Sequence, residues 1–229
     1  MDARITRRDL LAQGGIAGLA LAATAAVRAV SALGVTPAQP EGPFYPVRDQ
    51  PDKDTDLTRV QGHARAATGQ TVLVNGRVLD ASGRPVPGAL VEIWQACATG
   101  RYNHPDDSNN QAALDEDFQY WGRATTDARG AYSFRTIKPG AYPADAGWVR
   151  PPHIHFRVVA PGLPSLTTQM YFAGEALNAA DRILRSLPAE QRKLLTVSFA
   201  PAAGGAAVEG VFDIVVGRPG TAGVTPEVD

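Results

Sequence analysis

Cysteine is almost absent from this chain, since Cys97 is the only one among 229 residues. It cannot form an intrachain disulfide, and the chain lacks a Cys-x-x-Cys pair that would hold zinc or an iron–sulfur cluster. We therefore expect Cys97 to be a small buried side chain. Basic runs are also missing from the body of the chain, and the net charge is only -1. This balance excludes the strongly basic surfaces that are typical of nucleic-acid-binding proteins.

A hydrophobic run long enough to span a membrane is lacking as well. Residues 14–27 are apolar but rich in Ala and Gly, and they are too few and too weakly hydrophobic to cross a bilayer. They follow Thr6-Arg7-Arg8-Asp9-Leu10-Leu11, which resembles the twin-arginine (Tat) export pattern, and Val30-Ser31-Ala32 offers small residues for cleavage. We predict that residues 1–32 are a Tat-type signal peptide and that the protein is periplasmic or extracellular. The alternative is an amphipathic N-terminal helix that stays attached.

Glycine and proline, by contrast, are abundant, with 23 and 18 residues. This composition favours many short strands joined by turns over a helical bundle. The strand-like segments predict an all-β fold over residues 70–216, an antiparallel β-sandwich with long active-site loops and one or two short helices. Residues 127–130 predict a hairpin turn between two of its strands. A helix is expected over residues 176–186, ended by Pro188.

The regions on either side of this sandwich are predicted to be irregular. Residues 33–69 form an extended N-terminal arm, because the four prolines between residues 36 and 46 exclude a helix there. The Gly-, Pro- and Thr-rich tail over residues 217–229 is expected to be flexible.

Histidine is scarce, and two of the four histidines stand at positions 153 and 155. They begin a segment over residues 153–160 that is rich in β-branched and aromatic residues and is predicted to be a strand. Side chains alternate along a strand, so both imidazoles project from one face while Ile154 points to the other. Such a pair can bind a metal ion. The alternative is two surface histidines on a half-exposed strand.

Two tyrosines in turn-rich, polar segments, Tyr102 and Tyr142, would complete a metal site. Either tyrosine alone is more often a packed or surface residue. Together with His153 and His155 they offer two phenolates and two imidazoles. Phenolate is a hard anionic oxygen donor and suits ferric iron.

The chain resembles the intradiol ring-cleavage dioxygenases over residues 36–216. The resemblance is strongest to the iron-bearing beta subunit of the protocatechuate-cleaving branch. The resemblance rests on several motifs: Thr36-Pro37-x-Gln39, Glu41-Gly42-Pro43-Phe44-Tyr45-Pro46, Val91-Glu92-Ile93-Trp94-Gln95-Ala96, Gly100-Arg101-Tyr102, Tyr132-Ser133-Phe134-Arg135-Thr136-Ile137-Lys138-Pro139-Gly140, Tyr142-Pro143 and Arg150-Pro151-Pro152-His153-Ile154-His155-Phe156.

This resemblance implies roles for six residues. Tyr102, Tyr142, His153 and His155 would ligate non-haem Fe(III), with Tyr142 displaced when substrate binds and Tyr102 retained. Arg150 would stabilise negative charge on the substrate ring. Gln169 matches a polar position near the iron. The alternative is that Gln169 is an ordinary polar strand residue.

The implied reaction is cleavage of a catechol-type diol by O2 to a muconate-type dicarboxylate. Residues 33–70 show no helical dimerisation pattern, which favours a protocatechuate-like substrate over catechol or hydroxyquinol. Ala144, where the family often has an aromatic residue, and the displaced Trp148 leave room for a bulkier diol. The resemblance also allows a homo-oligomer or a related partner subunit.

A non-catalytic alternative comes from residues 76–89. Gly76-Arg77-Val78-Leu79-Asp80-x-x-Gly83-x-Pro85-Val86-Pro87-Gly88-Ala89 also resembles the opening of transthyretin-like sandwiches, which are binding or structural modules. Such a module would not need Tyr102, Tyr142, Arg150, His153 and His155 together, so their joint presence favours the enzyme.

Overall fold

A computed structural model describes residues 34–50 and 52–217. The predicted signal peptide over residues 1–32 and all of the predicted tail after Gly217 lie outside the described residues. The arm over residues 34–69 contains no regular helix or strand in its described part, as its prolines predict.

Short strands make up most of the described structure. The strands are β1 (Thr71–Asp80), β2 (Leu90–Trp94), β3 (Trp121–Thr125), β4 (Ala131–Ile137), β5 (Tyr142–Asp145), β6 (Trp148–Arg150), β7 (His153–Val159), β8 (Leu166–Phe172), β9 (Thr196–Val197), β10 (Ala200–Pro201), β11 (Val208–Val211) and β12 (Ile214–Val216). The helices are α1 (Arg182–Arg185) and α2 (Ala189–Leu195), with 3-10 turns at Pro105–Asp107 and Ala176–Ala179. None of the described helices is long and apolar enough to cross a membrane.

Two five-stranded sheets enclose the main hydrophobic core. In the first sheet β1 pairs with β4, β11 and β12, and the second has the order β3-β2-β7-β8-β9. Alternation along each strand sends one set of side chains into the core between the sheets. The contributors include Val72 and Val74 of β1, Val91 and Ile93 of β2, and Ile154, Phe156 and Val158 of β7. This arrangement confirms the predicted all-β sandwich.

The sheets are mixed, so the predicted sandwich is not antiparallel throughout. β1 pairs in parallel with β11 and β12, and β8 pairs in parallel with β9. Parallel neighbours need a long crossover connection. The segment between Phe172 and Thr196, which contains both α-helices, provides one for β8 and β9.

Two local predictions also needed correction. Residues 127–130 do form a tight turn, in which the N–H of Gly130 donates to Asp127 O at 2.9 Å, but the flanking β3 and β4 belong to different sheets. The helix expected over 176–186 is broken at Asp181, whose side chain accepts the N–H of Leu184 and caps α1. Pro188 is the N-cap residue of α2 rather than the end of a helix, and its missing N–H costs no hydrogen bond within a helix there.

The second sheet is covered on its outer face as well. The arm first runs along the edge of β8, where the N–H of Gln39 donates to Thr167 O at 2.9 Å and Thr168 Oγ1 donates to Pro37 O at 2.7 Å. Phe44 and Tyr45, further along the arm, pack on the outer face. A smaller hydrophobic cluster forms on this face, from Trp94, Ala96, Tyr102, Trp121 and Tyr142. The predicted site residues therefore lie between the sheet and its covering loops.

Candidate active site

One row of side chains across the second sheet organises the site. Trp121, Trp94, His155 and Gln169 are direct partners in neighbouring strands, so all four project from the same outer face. His153 lies two residues before His155 and is paired with Tyr171. The predicted alternation is confirmed, because Ile154 points into the core between the sheets.

The two histidines are buried and close together. Their rings are 4.9 Å apart, and the two Nε2 atoms are separated by 3.2 Å. The Nδ1 atom of His153 lies 2.7 Å from Pro151 O, and since a carbonyl only accepts, Nδ1 carries the proton. Burial, together with the charge of Arg150, lowers the pKa of both imidazoles well below the usual value. Both are therefore neutral, and Nε2 of His153 carries no proton, so it is the ring nitrogen that can ligate a metal ion.

Tyr142 reaches this pair from the β5–β6 hairpin. The hairpin pairs Tyr142 with Arg150, and the Tyr142 ring lies 5.7 Å from that of His153. Sequence reasoning placed Tyr142 in a polar turn, whereas it is buried. Burial raises the pKa of its phenol, although Arg150 opposes this effect.

Tyr102 approaches from the loop after β2. Its ring lies 5.5 Å from Tyr142 and 6.5 Å from His155, and its N–H donates to Asp107 Oδ2 at 2.7 Å. The Tyr102 hydroxyl is buried and has no hydrogen-bond partner among the described residues. Burial, followed by the neighbouring Tyr142, raises the pKa of this phenol well above its usual value. A buried phenol without a partner is costly, so this oxygen is suited to a ligand role.

The four donors fit a hard, highly charged metal ion. Within the described part of the chain, no group of three or more His, Cys, Asp and Glu side chains is placed to hold a metal. A metal bound at the histidine pair would therefore need the phenol oxygens. Binding as phenolates requires loss of two protons from groups whose pKa is raised, which a strongly Lewis-acidic trivalent cation promotes.

Arg150 lies beside the histidines as a buried cation with a fixed orientation. Its Nη1 is 3.1 Å from His153 Nε2, and its Nε donates to Asp181 Oδ2 at 3.0 Å. Burial alone would lower its pKa, but Tyr171, Tyr142 and Asp181 raise it above the usual arginine value. Asp181 is fully buried and was missed by sequence reasoning, because nothing near it in the chain marks it as a partner of Arg150.

Gln169 belongs to the same network. Its Oε1 accepts hydrogen bonds from Arg150 Nη2 at 2.8 Å and from the Tyr171 hydroxyl at 3.0 Å, and its Nε2 donates to Pro40 O at 2.8 Å. The structure therefore places Gln169 beside His155 on the neighbouring strand and in contact with Arg150. It links the arm to the guanidinium.

A cavity of about 480 Å³ opens beside these residues. Its lining includes Phe44 from the arm, Tyr142, Ala144 and Trp148 from the hairpin, Arg150, and Ile183 from α1. A larger open groove of about 770 Å³ lies between β1, β3 and β4 and contains none of the predicted site residues. We place the chemistry in the smaller cavity because the buried donors converge there.

The remaining two histidines lie apart from the histidine pair. His63 Nδ1 is 3.0 Å from Asp117 Oδ1 in a partly exposed contact. His104 caps the 3-10 turn at Pro105–Asp107, with Nδ1 accepting the N–H of Asp106.

Known proteins are similar to this chain in sequence and in fold. A family model for dioxygenases (Dioxygenase_C) matches residues 40–218. The protocatechuate 3,4-dioxygenase beta chain of Burkholderia cepacia is 44% identical over 186 residues, which is 78% of each chain. Catechol 1,2-dioxygenase 2 of Acinetobacter lwoffii is 36% identical over 157 residues, 61% of this chain, and the match spans only 52% of that enzyme.

A solved structure agrees with these matches. The dioxygenase domain of a dioxygenase carbohydrate-binding protein fusion from Streptomyces sp. SirexAA-E has a TM-score of 0.60 and 33% identity. The similarity covers 80% of this chain and 99% of that domain. The family match, the relatives and the shared fold agree with the sequence motifs, and the chain belongs to the intradiol ring-cleavage dioxygenases, a family of oxidoreductases.

Proposed function

We propose that this protein is a non-haem Fe(III) enzyme that cleaves a catechol-type aromatic diol between its two hydroxyl-bearing carbons. O2 is the second substrate, and the product is a muconate-type dicarboxylate. The observation that carries this proposal is the convergence of Tyr102, Tyr142, His153 and His155 on one buried point beside a cavity lined by Arg150. Family membership favours this catalytic function over the transthyretin-like binding module.

The two imidazoles and two phenolates would hold the iron. When bound, ferric iron supplies a Lewis acid that chelates the diol and withdraws electron density from its ring, which opens a ring carbon to O2. The anionic phenolates offset the charge of the metal next to the Arg150 guanidinium.

The different surroundings of the two tyrosines support different roles for them. Tyr142 lines the diol cavity, whereas Tyr102 is not among its lining residues and its backbone N–H donates to Asp107 Oδ2. A diol entering the cavity therefore meets Tyr142 first, which supports Tyr142 as the displaced ligand. Because burial raises the pKa of the Tyr142 phenol, its Oη is a good acceptor for a diol proton. Arg150 Nη1 would stabilise the negative charge that remains on the bound diol.

A protocatechuate-like diol is the favoured substrate. The supporting observation is the 44% identity to a protocatechuate 3,4-dioxygenase beta chain over most of both chains. Catechol, hydroxyquinol or a bulkier diol is the alternative. It is favoured by Ala144, whose small side chain contributes little to filling the cavity.

We also propose that the active protein is an oligomer, either of identical chains or with a related subunit. The relative from Burkholderia cepacia is named a beta chain, which implies a companion chain in that enzyme. Light scattering of the purified protein would show the mass of the assembly, and co-purification would show whether a second chain is present.

A visible absorption spectrum tests the proposed function directly. Phenolate bound to Fe(III) gives a charge-transfer band, so the iron-loaded protein should be reddish. Anaerobic addition of protocatechuate or catechol should shift the band, and admission of O2 should then yield the ring-cleaved dicarboxylate. A shift with only one diol would identify the substrate. A protein that stays colourless after loading with iron would contradict the proposal.

Substitution of the ligands gives a second test. Tyr102→Phe and His155→Ala should lower the iron content and the charge-transfer absorbance, and both should abolish turnover. His63→Ala is the matched control, because the His63 imidazole hydrogen-bonds Asp117 in a partly exposed contact, and it should leave iron and turnover unchanged. Full iron and full turnover in Tyr102→Phe would show that the ligand assignment is wrong.

A further inference from the structure

The arm reaches the network around Arg150 at two adjacent residues. Gln39 Oε1 accepts a hydrogen bond from the Tyr171 hydroxyl at 2.8 Å, and Pro40 O accepts one from Gln169 Nε2 at 2.8 Å. Tyr171 and Gln169 are also the side chains that accept hydrogen bonds from Arg150 Nη2, at 3.0 and 2.8 Å. Both of these acceptors are therefore held in turn by the arm.

Gln39 is anchored through its backbone as well as its side chain. The residue is buried, and its N–H donates to Thr167 O on β8 at 2.9 Å. Tyr171 belongs to the same strand and is fully buried. Gln39 therefore presents its amide oxygen to the Tyr171 hydroxyl from a fixed position, although the two residues are 132 positions apart in the chain.

The Tyr171 hydroxyl has one proton and two amide oxygens within reach. Gln39 Oε1, at 2.8 Å, is closer than Gln169 Oε1, at 3.0 Å. A hydroxyl that donates one hydrogen bond becomes a better acceptor for another, because linked hydrogen bonds polarise each other. Donation to Gln39 therefore strengthens the bond that Tyr171 accepts from Arg150 Nη2.

The direction of the remaining guanidinium nitrogen depends on these contacts. Arg150 Nε donates to Asp181 Oδ2 at 3.0 Å, whereas Asp181 Oδ1 is 3.4 Å from Nη2, a longer contact than those of Tyr171 and Gln169. With Nε and Nη2 engaged, Nη1 faces His153 Nε2 at 3.1 Å. Loss of an acceptor at Nη2 would let the guanidinium turn away from this direction.

We infer that Gln39 is a positioning residue that fixes the orientation of the Arg150 guanidinium through the Tyr171 hydroxyl. The inference rests on the proposed role of Arg150 at the bound diol. Gln39 and Tyr171 are not among the residues that line the diol cavity, so Gln39 acts through Arg150 rather than on the substrate. The arm therefore orients a group of the active site as well as covering the sheet.

A double-mutant cycle on the iron-loaded enzyme tests this inference. Gln39→Met removes the acceptor at similar side-chain length, and Tyr171→Phe removes only the hydroxyl. Each should lower kcat about 10-fold with little change in KM or iron content, because the guanidinium is no longer held in place. The double variant should be no slower than either single variant, since both changes break one connection. Losses that multiply to about 100-fold, or a normal kcat in Gln39→Met, would overturn the inference.

Thr36→Val is the matched control on the same arm. Thr36 Oγ1 accepts the N–H of Val215 at 2.8 Å, so it anchors the arm to β12 rather than to the Arg150 network. This variant should lower the melting temperature and keep the wild-type kcat. A fall in kcat equal to that of Gln39→Met would show that anchoring of the arm alone accounts for the loss, which would overturn the inference.

A second measurement needs neither iron nor turnover. A restrained guanidinium rotates slowly and gives separate nitrogen–proton NMR signals for its Nη groups, whereas a free one gives a single averaged signal. In the metal-free protein the Arg150 signals, assigned with Arg150→Lys, should be separate in the wild type and in Thr36→Val. They should merge in Gln39→Met and Tyr171→Phe.

Separate Arg150 signals in every variant would overturn the inference. If the wild type cleaved no diol, the proposed function would fail, and the spectrum would still decide whether Gln39 orients Arg150. The two failures are therefore distinguishable.

Discussion

Arg150 is a buried cation whose position is fixed by side chains from other parts of the chain. Nε donates to Asp181, and Nη2 donates to Gln169 and Tyr171. These contacts leave Nη1 directed at His153 Nε2. The orientation of the group that would meet the substrate charge therefore depends on Asp181, which is 31 residues away in the chain.

Asp181→Asn should impair turnover more than it impairs iron binding. Asparagine keeps an oxygen that can cap α1 but removes the charge opposite Arg150. We expect kcat to fall about 10- to 100-fold with little change in KM, because the guanidinium is no longer held in place. The free energy of unfolding should fall by about 3 kcal/mol, because a buried charge loses its partner. Steady-state kinetics, iron analysis and urea unfolding measure these quantities.

Asp213→Asn is the control for this prediction. Asp213 pairs with Arg77 at the surface, so its loss should change stability by less than about 1 kcal/mol and leave kcat unchanged. If Asp181→Asn lowered stability but kept the normal kcat at low temperature, Asp181 would be a structural residue only.

The sequence predicted the local parts of the site and missed the distant ones. His153 and His155 are separated by one residue, and the period of a strand suffices to place them on one face. Tyr102 and Tyr142 were predicted as ligands, but their burial was not, because the loops that cover them contain mostly polar residues. Asp181 has no local signal, since its role arises only when the segment after β8 folds back against β6.

At the scale of elements, the loops that carry the two tyrosines pack unusually closely. Gly100 has a φ of 84°, and a Cβ there would lie only 2.3 Å from Ala141 O and 3.3 Å from the Tyr142 Cβ. The N–H groups of Gly100 and Gly140 both donate to Cys97 O at 2.9 Å. This contact sets the separation of Tyr102 and Tyr142.

Gly100→Ala should therefore damage both stability and iron binding. The positive φ costs about 1–2 kcal/mol for alanine, and the clash with Ala141 should add about 1–3 kcal/mol. Because the loops must separate, the iron content and the charge-transfer absorbance should also fall. Thermal unfolding and metal analysis of the purified variant measure both effects.

Gly88→Ala separates strain from packing. Gly88 has a similar φ of 71°, but no atom lies within 4 Å of the added Cβ. The Gly88→Ala variant should therefore lose only the stability that the positive φ costs, and its iron content should be unchanged. Equal losses of stability and iron in the two variants would contradict the proposed role of the close contact.

The turn after β1 should make stability depend on pH. The hydrogen bond from the Ser82 hydroxyl lowers the pKa of Asp80, and although burial opposes it, further bonds from Arg84 and the Ser82 N–H lower it more. Since the folded-state pKa lies below the ordinary value of 3.8, the stabilisation is present above that pH and is lost as the pH falls further.

Asp80→Asn should therefore lower the melting temperature at pH 7, and its difference from the wild type should shrink below pH 3.8. Ser82→Ala should show the same trend, because it removes one of the bonds that lower the pKa. A difference that stayed constant from pH 7 to pH 3 would exclude this role for Asp80.

For the whole molecule, composition and strand spacing predicted the sandwich but not its connections. The turn over residues 127–130 was predicted correctly. Its turn-forming residues are the same whether β4 pairs with β3 in a hairpin or joins the other sheet, so they do not predict the pairing. The parallel pairing of β1 with β11 and β12 joins residues more than 130 positions apart, which local patterns do not reveal. The breaks at Asp181 and Pro188 likewise follow from tertiary contacts and capping rather than helical period.

The cellular location is a property of the whole chain, and we propose export by the Tat route. The support is Arg7-Arg8 followed by the Ala- and Gly-rich run over residues 14–27. The route carries folded proteins, so a site that joins residues from 102 to 155 could be assembled and loaded with iron before export.

Arg7→Lys combined with Arg8→Lys should retain the protein in the cytoplasm with its iron and activity intact, because both substitutions keep the charge and neither residue is one of the proposed site residues. Arg4→Lys is the matched control and should be exported normally. Cell fractionation with immunodetection and an activity assay of each fraction measures the outcome. If the double variant were exported like the wild type, the twin-arginine pair would not be the export signal. There would then be no reason to expect that the protein folds and binds iron before it crosses the membrane.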